Sequence, residues 1–254
     1  MRNDDFDISV RCPDNLLRLH QTQIRTFDAI QSFPSVGGAK DGRPLERLLA
    51  PQLQATFSKR GETSIPFHLF DSRPAVEPVL IKAWPNFVAT LSRPAITDLL
   101  SNLLGEPAVE RQGLHATLRC RDGTRSVFPA ASDAAGWLDR VGAAEAEGGH
   151  PFALACFAYA QTVLSHPYRD GNGRLARAMF QRSLGRSGLL GGPFLPLGPL
   201  VYANHRVHDR ALQHLGSTGE WDPFVSVMLG LTRKAAAFTA WTLSGERSLP
   251  YQTP

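Results

Sequence analysis

The sequence predicts an all-α domain that carries a single β-hairpin. Residues 151–165 are apolar on nearly every side, which is typical of a helix in the middle of a hydrophobic core. Residues 114–128 alternate apolar and polar side chains around Asp122 and Gly123, and this combination indicates a hairpin. Several other segments repeat apolar residues at helical spacing. The chain of 254 residues is long enough for one sizeable core, or for a core domain plus an appendage.

Residues 1–80 are predicted to form an N-terminal extension of unknown role that is partly helical. Apolar residues at loosely helical spacing indicate a helix over 14–32. Residues 33–44 are rich in Gly and Pro and are typical of a linker. A further helix is predicted over 45–58, and the Pro and Gly residues of 60–80 predict an irregular segment.

Residues 81–254 are predicted to form the main domain. A lone hairpin is not stable by itself, so we expect the hairpin to lean on neighbouring elements. Pro94 and Gly105 lie near the start and past the end of the first helix of this part, as is common at helix ends. Ser132 and Asp133 would cap the next one. Besides 151–165, the predicted helices span 94–105, 133–144, from about Asn172 to a stop at Arg186–Gly188, 198–216 and 222–242.

Composition excludes several classes of protein. The net charge of +4 comes mostly from Arg residues that are scattered along the chain, so a nucleic-acid partner is not indicated. The three Cys residues have neither disulfide-framework nor zinc spacing, which favours a reducing compartment. We see no Sec-type signal and no membrane span, and we expect a soluble, cytoplasmic protein. Secretion as an effector stays open as an alternative.

The segment HPYRDGNGRLAR, residues 166–177, carries the groups from which chemistry is expected. His166 follows the predicted core helix directly, so its imidazole is held at the mouth of a turn and can accept a proton near neutral pH. Pro167 stops the preceding helix. Asp170 supplies a carboxylate, which at a phosphate site most often holds Mg²⁺.

The second half of this segment is predicted to bind an anion. Gly171, Asn172 and Gly173 let the backbone turn tightly, and their N–H groups open the next helix, where a positive dipole end favours phosphate. Arg174 and Arg177 lie three residues apart on the first turns of that helix, so they share a face and can both reach the anion. Base, carboxylate, anion site and guanidinium groups together favour phosphoryl or nucleotidyl transfer.

HPYRDGNGRLAR resembles the signature of Fic-domain proteins, H-P-F-x-[D/E]-G-N-G-R-x-x-R, and departs from it only at Tyr168, where the family usually has Phe. The flanking likeness extends loosely over 85–240. The resemblance implies a Fic-type helical bundle with the hairpin 114–128 as a flap beside the active site, and a Fic-like catalytic domain over 81–254.

The resemblance also implies a role for each residue of the segment. His166 would activate the hydroxyl of a target protein, and Asp170 would bind Mg²⁺. Asn172 and Gly173 would surround the α- and β-phosphates of ATP, Arg174 would hold the β-phosphate region and Arg177 the γ-phosphate. The implied function is that of a protein adenylyltransferase, which transfers AMP from ATP to a Ser, Thr or Tyr hydroxyl.

Two alternatives remain beside this function. The same site could use another donor, such as UTP or another phosphate-linked group, or the domain could bind a nucleotide or a partner without catalysis. Gly173 argues against the phosphate-transferring branch of the family, which has Lys at that position. The flap would dock the target backbone as an added strand.

Two further features concern metal binding and regulation. His205 and His208 could ligate a metal on one helix face, but an exposed helix face without metal, which also carries His214, is the favoured interpretation. Many Fic proteins contain an inhibitory [S/T]-x-x-x-E-[G/N] motif. Glu147 and Glu246 are the nearest matches and neither is convincing, so we expect a separate small inhibitor (antitoxin) protein or no restraint.

Overall fold

The computed structural model describes residues 7–9, 13–15, 17–30, 76–119, 125–190 and 195–244. Three short strands accompany the helices: Asp7–Ser9 (β1), Ala116–Arg119 (β2) and Arg125–Phe128 (β3). The helices are Gln21–Asp28 (α1), Val76–Ala89 (α2), Arg93–Leu104 (α3), Ala131–Ala134 (α4), Trp137–Glu147 (α5), Pro151–Ser165 (α6), Asn172–Arg186 (α7), Leu197–Ala203 (α8), His205–Thr218 (α9) and Asp222–Ser244 (α10). The prediction of a mainly helical domain with one hairpin is confirmed.

Helix α6 lies at the centre of the core, as its apolar sequence predicts. Most of its side chains are buried, and it packs along the whole of α7. Pro151 occupies the first helical position, where a missing N–H costs nothing, and the His150 ring accepts the N–H of Phe152. One side of the α6–α7 pair contacts α1 and α8 to α10, and the other contacts α2, α3 and α5.

The flap is part of a three-stranded sheet with the order β1-β3-β2. Strands β2 and β3 pair antiparallel as predicted, with Ala116 opposite Phe128. Strand β1 pairs in parallel along the other edge of β3, which the sequence did not indicate. The hairpin also leans on α9, since Gln213 donates to the Ser126 hydroxyl. The turn of the hairpin lies outside the described residues.

Several predicted helix boundaries are wrong. Among the described residues of 14–32, the predicted helix is present only as α1, because His20 is extended and its N–H donates to the Gln23 side chain at the helix start. The irregular segment predicted over 60–80 contains the start of α2, whose Pro78 falls in the first turn, where proline is tolerated.

Two other helices predicted as continuous are divided. The helix predicted over 133–144 starts instead at Trp137 (α5), after a separate single turn (α4) that lacks the predicted side-chain cap. The helix predicted over 198–216 is split at Asn204, whose side chain and backbone N–H both donate to the Leu200 carbonyl. A side chain that bonds nearby backbone in this way competes with the regular helical pattern. Helices α3, α6, α7 and α10 lie where the sequence predicts them.

Part of the N-terminal extension packs into the main core. Leu17 and Phe27 are buried among the residues of α6 and α10. Helix α2 crosses residue 80, where the domain division was predicted, and that division stays a prediction. The linker 33–44 and the helix 45–58 lie outside the described residues. No helix in the described part of the chain combines the length and apolar character needed to cross a membrane.

Candidate active site

The predicted catalytic segment forms a tight loop between the two central helices. His166 has a φ of 47°, the left-handed conformation that ends α6, and Gly171 has a φ of 80° just before α7. A Cβ at Gly171 would lie 2.6 Å from the buried side chain of Leu100. Glycine is therefore required there both by the backbone conformation and by the space available.

The Asn172 side chain closes this loop. Its Oδ1 accepts the N–H of Tyr168 at 3.0 Å and its Nδ2 donates to the Tyr168 carbonyl at 2.7 Å. Tyr168 is buried and its hydroxyl is hydrogen-bonded to Thr97 at 2.9 Å. The aromatic anchor expected from the motif is thus present, and Thr97 satisfies the hydroxyl that distinguishes Tyr from Phe. Because the side-chain amide of Asn172 is hydrogen-bonded within the loop, the backbone N–H of Asn172 is the group that could bind an anion.

The His166 imidazole is held in place by the flap. Its ring stacks on Phe128 of β3 with 4.1 Å between the ring centroids. The pKa of His166 is lowered to about 4, chiefly by burial; the Arg111 charge also lowers it, while the Val163 backbone and the Asp170 charge raise it. The ring nitrogen Nδ1 is buried. The Val163 carbonyl lies close to it, but no acceptor among the described residues forms a well-aligned hydrogen bond with it. The ring is consequently neutral at pH 7 and can accept a proton.

Asp170 and the start of α7 lie beside each other at the surface of the loop. The Asp170 side chain is exposed, and its Oδ1 accepts the N–H of Gly171 at 2.6 Å. The N–H groups of Arg174 and Leu175 both donate to the Gly171 carbonyl. The N–H groups of Asn172 and Gly173 therefore form the open end of the helix, where an anion is stabilised.

The two arginines of the segment have different neighbours. Arg174 donates to the Leu103 carbonyl at the end of α3. Arg177 lies near Gly173 and close enough to the Tyr159 hydroxyl of α6 to lower its pKa, against the larger rise that burial causes. The neighbours named here differ, and joint contact of the two guanidinium groups with an anion stays a prediction.

His208 is buried, so the expectation that it lies on an exposed helix face is wrong. Its Nε2 is hydrogen-bonded to the Tyr159 hydroxyl at 2.9 Å and its Nδ1 lies 2.9 Å from an Asp209 carboxylate oxygen. His205 and His214 are partly exposed and contact Tyr202 and Glu220 instead. Within the described ranges, no group of three or more His, Cys, Asp or Glu side chains could hold a metal ion by themselves.

Sequence reasoning missed two groups beside His166. Phe128 was recognised only as the end of a strand, and its stacking on His166 depends on how the flap folds back. Arg111 was not singled out at all, although its guanidinium contacts the His166 backbone. No local spacing links either residue to His166, so the sequence contains no signal that would have found them.

One edge of the flap sheet is already paired. Strand β1 lies along the outer edge of β3, with Ile8 opposite Ser126. Among the described residues, the outer edge of β2 has no strand beside it. Leu114 and Leu118, which lie before and within β2, are largely exposed. The edge of β2 is thus the one that could accept a further strand.

Comparison with known proteins agrees with this architecture. Residues 95–184 match the Fic/DOC family, and this range contains most of α3, the flap and the whole loop from His166 to Arg177. Over these residues the chain resembles a Fic/DOC domain.

Solved structures of Fic proteins resemble the chain over most of its length. A Fic family protein from Desulfovibrio desulfuricans G20 is 18% identical, with a TM-score of 0.62 over 92% of this chain and 78% of that one. A Fic domain containing signaling protein from Bacteroides thetaiotaomicron VPI-5482 is 17% identical (TM-score 0.49; 94% and 96% covered). IbpAFic2 covalently tethered to Cdc42 is 16% identical (TM-score 0.48; 89% and 73% covered). The first of these shows that the matched region and its surrounding helices share a fold with that protein.

Proposed function

We propose that this chain is a protein adenylyltransferase, which transfers AMP from ATP to a Ser, Thr or Tyr hydroxyl of a target protein. The observation that carries the proposal is the loop between α6 and α7. It joins a neutral histidine, an exposed carboxylate and the open N-terminus of a helix within one short segment. Those are a base, a ligand for Mg²⁺ and an anion site, which nucleotidyl transfer requires together.

In the proposed reaction, the target hydroxyl oxygen attacks the α-phosphorus of ATP. A new P–O bond forms to the target, the bond between the α-phosphorus and the oxygen bridging to the β-phosphate breaks, and pyrophosphate leaves with that electron pair. The hydroxyl proton moves to His166. With a proton on Nδ1, on the side of the Val163 carbonyl, Nε2 carries the lone pair that accepts it.

The triphosphate would lie across the start of α7. The N–H groups of Asn172 and Gly173 would bind the α- and β-phosphates, and Arg174 and Arg177 would hold the β- and γ-phosphates by charge-assisted hydrogen bonds. Arg174 would have to leave the Leu103 carbonyl to do so. Arg177 needs less change, because it already lies beside Gly173.

Asp170 fits the role of a Mg²⁺ ligand. Mg²⁺ usually takes only one or two protein carboxylates and completes its shell with water and phosphate oxygens, so a single exposed Asp next to the phosphate site suffices. When bound there, the ion would neutralise charge on the phosphates and on the leaving pyrophosphate.

A different donor is the second candidate. In Fic relatives a Tyr near the position of His208 lies close to the nucleotide base, whereas His208 here is enclosed between Tyr159 and Asp209. Its ring is therefore not presented to a base, so His208 is not expected to distinguish adenine from uracil. A binding-only domain is less favoured, because binding alone does not need a neutral base at His166.

A panel of labelled nucleotides tests the proposal. Purified protein is incubated with Mg²⁺ and with ATP labelled at the α- or the γ-phosphate, or with α-labelled UTP, CTP or GTP, beside His166→Ala. Label on protein from α-labelled ATP alone, lost in the variant, is the expected result. Label from another nucleotide would keep the mechanism and change the donor, and label from γ-labelled ATP alone would contradict adenylyl transfer. If no lane is labelled but calorimetry detects ATP binding, either the target protein is missing from the assay or the binding-only alternative holds.

We also propose that activity is restrained by a separate small inhibitor protein or not at all. No carboxylate in the described part of the chain pairs with Arg177. Glu246 lies outside the described residues, so the variant Glu246→Gly is the informative one, with Glu147→Gly on α5 as its control. Equal activity of both variants and the wild type is expected. A strong gain in Glu246→Gly alone would contradict the proposal and identify an inhibitory segment within the chain.

A further inference from the structure

We propose that Arg111 is a positioning residue for His166, because its guanidinium group ties the backbone at His166 to the backbone that follows the stacked ring of Phe128. The inference rests on the proposed function, in which His166 is the base. Arg111 lies between α3 and the flap and belongs to neither the predicted catalytic segment nor an element of regular structure.

The hydrogen bonds of Arg111 join the two sides of the ring stack. Nε donates to the His166 carbonyl at 2.9 Å, and Nη2 donates to the Pro129 carbonyl and, at 3.3 Å, to that of Ser165. Pro129 directly follows Phe128, whose ring lies on the His166 imidazole at an interplanar angle of 21°. The rigid, planar guanidinium is thus hydrogen-bonded both to His166, which carries one ring, and to Pro129, which directly follows the other ring.

The backbone around Arg111 holds the guanidinium in place. The backbone N–H of Arg111 donates to the Pro167 carbonyl at 2.8 Å, and the backbone N–H of Arg169 donates to the Val109 carbonyl at 2.9 Å. Between them, Glu110 and Tyr168 form an isolated antiparallel bridge. Because the segment 109–111 pairs with 167–169, a shift of Arg111 would also displace the residues that follow His166.

His166 needs such support because its conformation is unfavourable by itself. It is the one non-glycine residue with a positive φ in the described part of the chain. A left-handed backbone costs energy in L-residues and persists where the surroundings fix it. The carbonyls of Ser165 and His166 also lie at the C-terminal end of α6, where helix carbonyls lack intrahelical donors and a cation is favoured. Arg111 supplies both donors and charge.

Stability alone does not explain a guanidinium at this place. Nη1 of Arg111 is buried without a hydrogen-bond partner, which costs free energy, and burial lowers the pKa of the group. Its charge in turn opposes protonation of His166, which Asp170 favours. The buried guanidinium of Arg111 is thus unfavourable for stability, yet it is hydrogen-bonded to the proposed base. We therefore expect it to act on the position of that base.

Two substitutions separate position from fold. Arg111→Lys keeps the charge but cannot form the planar set of bonds, and Arg111→Gln removes the charge as well. Arg186→Lys, at the half-exposed end of α7, is the matched control. We expect both Arg111 variants to lower kcat of the transfer by about 10- to 100-fold with little change in the Kd for ATP. The control should match the wild type.

A second measurement does not depend on activity. In protein with ¹⁵N-labelled histidine, the imidazole signals of His166 are assigned from the spectrum of His166→Asn. The chemical shifts of these signals should change in Arg111→Lys, whose Tm should stay close to that of the wild type. They should not change in Arg186→Lys. Unmoved signals in Arg111→Lys would overturn the inference, as would a loss of ATP binding and Tm in parallel with kcat. If the wild type transfers nothing, the kinetic comparison bears only on the proposed function, and the spectra still decide whether Arg111 positions His166. Should Arg111→Gln not fold, Arg111→Lys alone decides.

Discussion

At the scale of single residues, the imidazole of His166 connects the chemistry to the stability of the fold. Its pKa of about 4 lies below the ordinary value of about 6.5 because the ring is buried beneath Phe128. On acidification the unfolded chain therefore takes up a proton before the folded one does. The stabilisation from a neutral His166 is present above pH 6.5 and is lost as the pH falls from there towards 4.

This difference predicts how stability depends on pH. Between pH 7 and pH 5, wild-type protein should lose about 2 kcal/mol more free energy of unfolding than His166→Asn. Asn is the suitable replacement because it tolerates the left-handed backbone that His166 adopts. Urea unfolding at the two pH values measures the effect. Equal losses in both proteins would mean that the pKa of His166 is not lowered.

Gly171 is the second residue on which the loop depends. Gly171→Ala should cost about 1–3 kcal/mol more free energy of unfolding than Gly188→Ala, as measured by urea denaturation. Both residues have a positive φ, but a Cβ at Gly171 meets Leu100 and Leu104, whereas a Cβ at Gly188 meets nothing within 4 Å. The pair thus separates steric contact from backbone strain. Equal costs would show that Leu100 yields to the added methyl group.

At the scale of elements, α3 is joined to the catalytic loop by the bond between Thr97 and Tyr168. Thr97→Val should cost about 1–3 kcal/mol, because it leaves the buried Tyr168 hydroxyl without a partner. Adding Tyr168→Phe, the residue usual in this motif, should recover most of that loss. Thermal unfolding of the two single variants and the double variant forms the cycle, and strictly additive effects would contradict a direct coupling.

The elements also show where sequence reasoning works. Helices α6 and α7 could be predicted because the apolar run 151–165 and the Gly171–Gly173 turn are local features of the sequence. The split at Asn204 and the start of α1 at Gln21 depend on which of several hydrogen bonds a side chain makes, which spacing does not reveal. Strand β1 was missed because its pairing with β3 is determined by contacts more than a hundred residues away in the chain. The burial of His208 likewise depends on Tyr159 of another helix.

At the scale of the whole molecule, the N-terminal residues are packed against the region that matches the Fic/DOC family. Phe27 of α1 packs against Phe152 with 4.8 Å between ring centroids and is buried in the core around α6. His20 contributes little beyond this, since its contact with Asp222 is exposed. Residues on both sides of the Fic/DOC match therefore complete one hydrophobic core.

Truncating Phe27 tests that coupling. Phe27→Ala should lower the free energy of unfolding by about 3–5 kcal/mol, as expected for a large aromatic side chain in a core. Ile81→Ala, which truncates a side chain 39% exposed on α2, should change it by no more than about 0.5 kcal/mol. Urea unfolding followed by tryptophan fluorescence measures both. A small effect of Phe27→Ala would mean that α1 is only loosely attached.

The central claim is that the loop between α6 and α7 carries out adenylyl transfer with His166 as the base. The most direct measurement is the rate at which label from α-labelled ATP becomes attached to protein, for the wild type and His166→Asn, with ATP binding measured by calorimetry in parallel. We predict that the variant binds ATP with a similar Kd and transfers label at least about 100-fold more slowly. Transfer at the wild-type rate by His166→Asn would contradict the account.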